Sequence, residues 1–204
     1  MVPEIWEPNL TVVFAGAVVS DLSDTLGFYH VHRRDRFWEL LVLGEITPKP
    51  ILTAAERKAL AEGQKDGSLS EPVRAMFTLK KTSHLLQQGI GLTDVNRRVI
   101  ALDEKDKAGW PAEEDIHAFI AKAEKLTPQI LAFVTRAEVF VGSFKHVFPE
   151  AAETFGVQPF TIGNSEVWFM GPTSAMLRGD SLGAQEDAFI SLGERFNSLR
   201  DQKG

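Results

Sequence analysis

The chain contains no cysteine. Disulfides, thiolate-ligated zinc and a thiol nucleophile are therefore excluded, and the expected compartment is a reducing one. No apolar run approaches the roughly 18 residues that a membrane-spanning helix needs. The N-terminus, Met-Val-Pro-Glu-Ile-Trp, is short and acidic, unlike a signal peptide. A cytoplasmic location with no membrane partner is the expectation. Positive charge is also in deficit. Twenty-two Lys and Arg stand against 28 Asp and Glu, a net charge of −6. That balance disfavours nucleic acid unless basic residues gather locally, because phosphate neutralisation supplies most non-specific affinity. Such gatherings exist at Arg33, Arg34 and Arg36, at Lys80 and Lys81, and at Arg97 and Arg98. The nucleophile-elbow pattern Gly-x-Ser-x-Gly and the phosphate-loop pattern are absent. Gly89-Ile90-Gly91 lacks the third glycine of a dinucleotide fingerprint. His84, His117 and His146 have no carboxylate or histidine at metal-ligand spacing, so neither a metal nor another cofactor is expected.

What is present is enough apolar residue, 44% of 204 positions, to bury a sizeable core, most simply as one domain over residues 1–204. Four short apolar runs read as buried strands: Thr11 to Ala17, Gly91 to Val95, Ile130 to Thr135 and Glu166 to Gly171. Their near-continuous apolarity suggests a parallel sheet covered on both faces. Helical patterns lie between them. Phe37, Leu40 and Leu41 mark one from Asp35 to Leu43, and Thr53-Ala-Ala-Glu56 is a capping box that opens a second. Others run over Pro72 to Gln88, from Pro111 to about Leu126, over Arg136 to Val147 and over about Gly183 to Arg200. The alternation predicts a three-layer α/β/α domain around a mainly parallel four-stranded sheet. In such sheets, ligands sit where buried strands end in loops. The first strand does so at Gly16, followed by the polar stretch Ser20-Asp21-Leu22-Ser23-Asp24-Thr25, which reads as a loop.

Several segments resemble a known family in its order. Val12-Val13-Phe14-Ala15-Gly16 is followed, after eighteen residues, by Asp35-Arg36-Phe37-Trp38 and the turn Gly44-Glu45-Ile46-Thr47-Pro48. Then come Gly89-Ile90-Gly91-Leu92-Thr93-Asp94-Val95 and Pro128 to Ala137. Gly156-Val157-Gln158 and Val167-Trp168-Phe169-Met170-Gly171-Pro172-Thr173-Ser174 close the series. Together, from about Leu10 to Arg178, they resemble the uracil-DNA glycosylase superfamily, nearest its mismatch-specific branch. The resemblance implies hydrolysis of the N-glycosidic bond of uracil or another deaminated or damaged base, flipped out of the DNA stack into a pocket at the strand ends. It implies base excision repair, DNA as partner and no metal.

The residues at the family's working positions depart from its pattern. The water-positioning Asn or Asp, two residues after the first glycine, is Val18, and the pair that follows is Val19-Ser20. Valine can neither accept a proton nor orient water. Candidate substitutes are Asp94 at the end of the second strand, Asp21 and Asp24 in the polar loop, and His30 where the branch has an aromatic that stacks on the base. An imidazole can stack, donate to a base oxygen or stabilise an anionic leaving group. His32 is the second imidazole in reach. Gly16, Ala17, Val18, Phe28 and Tyr29 are the expected pocket lining. Gly171-Pro172-Thr173-Ser174-Ala175-Met176-Leu177-Arg178 resembles the wedge loop. There Thr173 and Ser174 would bond DNA phosphate, Met176 or Leu177 would enter the base stack, and Arg178 would fill the gap or hold a phosphate. Asp103 and Glu104 look solvent-exposed. Val18, Gly171 and the net acidity favour a second reading, a superfamily member that binds nucleic acid or a nucleobase-like ligand without cleaving it. A third is an unrelated small-molecule enzyme on the same architecture, since fold does not fix function.

Overall fold

The computed structural model describes residues 2–100, 110–173 and 179–202, with the backbone alone at 98–100. Five strands form one sheet: β1 (Val12–Ser20), β2 (Ile90–Ile100), β3 (Ile130–Phe133), β4 (Gly156–Ile162) and β5 (Ser165–Phe169). Their order is β2-β1-β3-β5-β4. β1 pairs in parallel with β2 and β3, and β3 with β5, while β4 is antiparallel to β5. The helices among the described residues are α1 (Asp21–Leu26), α2 (Phe37–Leu43), α3 (Ala54–Asp66), α4 (Glu71–Gln87), α5 (Glu113–Leu126), α6 (Ala137–Phe144) and α7 (Asp180–Asp201). None of them is long and apolar enough to cross a membrane.

Successive strand side chains point to opposite faces, and the core divides accordingly. Val12, Phe14, Leu92, Ile130, Ala132 and Trp168 pack against Phe37, Trp38, Leu41, Phe189 and Phe196 on one face. Val13, Ala15, Leu131, Phe133, Val167 and Phe169 pack against Ile116, Phe119, Phe140 and Phe144 on the other. This is the expected α/β architecture, with a fifth strand added to the four. β4 alternates exposed Val157, Pro159 and Thr161 with buried Gln158, Phe160 and Ile162. It turns into β5 through Gly163-Asn164, with Gly163 at φ 56°. Pro159 has no N–H for a second neighbour and is tolerated because β4 lies at the edge. The opposite edge is covered: Ile5 exchanges both backbone hydrogen bonds with Leu92, 2.9 and 2.8 Å.

Three further corrections bear on the site. The stretch read as a polar loop is α1. Ser20 caps it by accepting from Ser23 N, Gly27 ends it at φ 73°, and Asp21 and Asp24 fall in its first turn. Acidic side chains there are favoured by the helix dipole. β1 runs past Ala17 to Ser20, so Val18 is a strand residue paired with Asn96. β2 runs past Val95 to Ile100, so Asp94 lies within the strand and does not end it.

α2 and α7 touch through two glycines. A Cβ on Gly193 would overlap the carbonyl oxygen of Gly44, and a Cβ on Gly44 would overlap that of Phe189. This contact sets the C-terminal end of α2 against the middle of α7, and the Arg36–Glu186 pair joins the other end of α2 to the first part of α7. Gly193→Ala should cost about 3 kcal/mol, the upper range for overpacking, and lower the melting temperature by roughly 10 °C. An unchanged thermal melt would show that the helices do not approach this closely.

Candidate active site at the ends of the first two strands

Asp94 stands beside Gly16 in the parallel register of β1 and β2. A side chain at residue 16 would overlap Asp94 Oδ1, so the glycine is what admits the carboxyl group. Asp94 is 7% exposed. Its nearest cation is Arg97, whose Nη1 lies 3.9 Å from Oδ2. That is long for an ion pair, and the guanidinium is engaged elsewhere. It donates to the Tyr29 hydroxyl and to the Val2 carbonyl, each at 2.6 Å. Burial therefore dominates. It lifts Asp94 to about 8 against the pull of Arg97, with Glu4 adding a push in the same direction. At neutral pH the group is mainly a carboxylic acid, able to donate. Burial, and secondarily Asp94, push the Tyr29 phenol well above its ordinary range.

His30 belongs to a second cluster. Its backbone is left-handed at φ 52°, an uncommon conformation for a side chain other than glycine, and one that collects at functional sites. Nδ1 lies 3.0 Å from Asp35 Oδ2. Asp35 Oδ1 accepts from Phe37 N at 2.9 Å. Burial alone would raise Asp35, but the charge and hydrogen bond of His30 outweigh it. The Phe37 N–H and the Thr173 hydroxyl add to that effect and bring Asp35 to about 2. An ionised Asp35 places the imidazole proton on Nδ1 and leaves Nε2 as the acceptor. The ring stacks on Phe37 at 3.8 Å and meets Trp38 edge-on. Trp38 Nε1 also donates to the His30 carbonyl at 3.1 Å. Thr173 Oγ1 is 3.5 Å from the same Nδ1, so the three side chains do not form a relay ending in a hydroxyl nucleophile. Thr173 is buried, and its carbonyl accepts from Arg36 N at 2.9 Å. Gln185 bonds the carbonyls of Met170 and Pro172, fixing the segment that leads to it.

The two clusters meet through the Tyr29–His30 peptide: Tyr29 reaches Arg97, and His30 reaches Asp35. His30 and Asp94 share no hydrogen bond or ion pair among the described residues. The other expected site residues are distributed as follows. Val18 is half-buried in β1. Phe28 is fully buried, stacked on Trp38 and edge-on to Phe77, so its ring is committed to the core. Asp21 is exposed and bonds Leu22 N at 2.9 Å. Asp24 lies half-buried in α1. Ser174, Met176, Leu177 and Arg178, and likewise Asp103 and Glu104, lie outside the described residues. Gly16 and Ala17 also line a small cleft with Val95, Phe133, Thr135 and Phe140. Strand alternation puts Ala17, Val95 and Phe133 on the α5–α6 face, opposite Asp94. The cleft's free volume is about 10 Å³, room for about one water.

Two participants were not singled out from the sequence, Asp35 as partner of His30 and Arg97 as neighbour of Asp94. The signal for each was local, a carboxylate five residues after His30 and an arginine three after Asp94. Among the described residues, no three His, Asp or Glu side chains gather as a metal site would require. No family model matches this chain.

Asp94 holds its proton more tightly folded than unfolded. Its contribution to stability is complete below about pH 4 and declines as pH rises to about 8. Asp94→Asn removes this slope. Between pH 5 and pH 8.5, wild type should lose stability relative to the variant by roughly 4 kcal/mol if the whole shift is realised. Parallel stability profiles would show that Asp94 is not held protonated. Asp35 carries the opposite sign. Its stabilisation is present above about pH 4 and disappears as pH falls towards 2, and Asp35→Asn should abolish that acid-side loss.

Proposed function

We propose that this protein is a DNA glycosylase-like hydrolase that cleaves the N-glycosidic bond of uracil or another deaminated or damaged base, a step of base excision repair. The observation that carries the reading is the Asp94 carboxyl buried against Gly16, at the strand that the glycosylase-like motifs mark. An acid that keeps its proton at pH 7 supplies what the departing base needs. In the proposed step the C1′–N bond breaks and its electron pair goes to the base. Asp94 transfers or shares its proton with the base. Water adds to C1′ and gives up a proton to His30 Nε2, whose tautomer Asp35 holds. The products are the free base and an abasic sugar. Val18 takes no part, so the water would be activated by His30 in place of the usual Asn or Asp. Environments that drive two carboxyl groups in opposite directions are a recurring way of assigning acid and base roles within one site.

A second reading, binding without cleavage, is favoured by one observation: the strand position two residues after Gly16, paired with Asn96, carries Val18, which can neither accept a proton nor orient water. A gel assay after alkali, on single- and double-stranded oligonucleotides carrying uracil, hypoxanthine or xanthine, separates the two. Hydrolysis predicts strand breaks that fall at least about a hundredfold in Asp94→Asn, with activity declining above about pH 8 as the acid loses its proton. Retention of DNA with no break at any of these bases would contradict hydrolysis and leave the binding reading.

A further inference from the structure

Basic side chains are scarce on this acidic chain, and the fold ties three of the clustered ones into internal contacts. Lys81 bonds Glu56 and the Ile51 carbonyl. Arg97 is held by Tyr29 and Val2. Arg36 pairs with Glu186 at 2.5 Å. Arg33 and Arg34, like the isolated Lys80 on α4, are exposed, and neither arginine side chain makes a hydrogen bond or ion pair among the described residues.

Their setting is specific. Asp35 N donates to the His32 carbonyl at 3.0 Å, closing a four-residue turn whose two corners are Arg33 and Arg34. Such corners usually carry Gly, Asn, Asp or Pro, which ease the turn. Two arginines do nothing for the backbone here. Arg34 N donates to His32 Nδ1 at 3.2 Å. Because Nδ1 accepts, the neutral ring carries its proton on Nε2 and the exposed imidazole is a donor. The turn is rigidly founded: Asp35 is bound to His30 and Phe37 N, and Arg36 N to the Thr173 carbonyl. One anchored turn thus presents three adjacent donors next to the His30–Thr173 cluster, and its one acidic side chain, Asp35, is bonded to His30.

We propose that the His32–Arg34 turn is a phosphate-binding corner that grips the phosphodiester backbone of a nucleic-acid strand beside His30 and Thr173. The choice of a nucleic-acid strand rests on the function proposed above, whereas the donor set is independent of it. Phosphate from a free nucleotide shares the chemistry, and the test separates the two sources.

The experiment is fluorescence anisotropy of the full chain with undamaged single- and double-stranded oligonucleotides, between about 50 and 200 mM salt. Because no cleavable base is present, the result does not depend on hydrolysis. The double variant Arg33→Ala/Arg34→Ala should weaken binding at least about tenfold at the lowest salt and remove about two units from the log–log salt slope. Arg33→Lys/Arg34→Lys should keep most of the slope. Lys80→Ala, an exposed cation elsewhere, should change neither quantity. Substitutions at exposed turn corners should leave the melting curve within about 0.5 kcal/mol of wild type. Four results would overturn the proposal: no binding by wild type, an unchanged slope in the double alanine variant, an equal loss in Lys80→Ala, or displacement of the oligonucleotide by inorganic phosphate or deoxyuridine monophosphate at comparable concentration. The last would assign the corner to free phosphates.

Discussion

The burial of one carboxyl group between two parallel strands is the constraint around which the site is arranged. Asp94 and Gly16 are paired by register. The carboxyl occupies the space that any β-carbon at residue 16 would take. An ionised carboxylate at that depth would need a close cation and several donors, because an unpaired buried charge is strongly disfavoured. Arg97 is too far and already shared between Tyr29 and Val2. The favourable solution is to keep the proton. The N-terminal segment takes part, since Val2 holds Arg97 and Ile5 covers the edge of β2. Tyr29, drawn to Arg97, fixes where His30 begins.

The neighbouring cluster runs on opposite electrostatics. Asp35 is half-buried, and a histidine and backbone and hydroxyl donors satisfy it, so it stays ionised to about 2 where Asp94 stays protonated to about 8. Two carboxyl groups, one just before α2 and one in β2, are thereby driven apart by environment alone. The packing of Phe37 and Trp38 around the imidazole, and the α2–α7 glycine contact behind them, hold this arrangement on rigid elements.

Much of the frame was legible in the chain. Buried strands with apolar runs announced β1, β2, β3 and β5, because continuous apolarity needs no knowledge of the partner strand. β4 escaped because Gln158, Pro159 and Thr161 break its run, although Phe160, Ile162 and the Gly163-Asn164 turn carry a hairpin pattern. The polar stretch after Ser20 reads equally as loop or capped helix. What decided it was the Ser20 cap and the left-handed Gly27, whose geometry appears only once the backbone is placed. Of the candidate residues, Asp94 and His30 could be proposed from position. Their partners could not be ranked, since Arg97 and Asp35 matter through side-chain direction and burial. The clustered basic residues looked alike in the sequence, and only the hydrogen bonds and ion pairs of the fold separate Arg36, Lys81 and Arg97 from the open corner at Arg33 and Arg34.

The account stands on the protonation state of Asp94. Carbon-13 NMR titration of the aspartate carboxyl carbons, with Asp94→Asn used to assign the resonance, measures it directly. The account predicts a midpoint at about 8. A midpoint near the ordinary aspartate value of about 4 would contradict it, and with it the role of Asp94 as the proton donor.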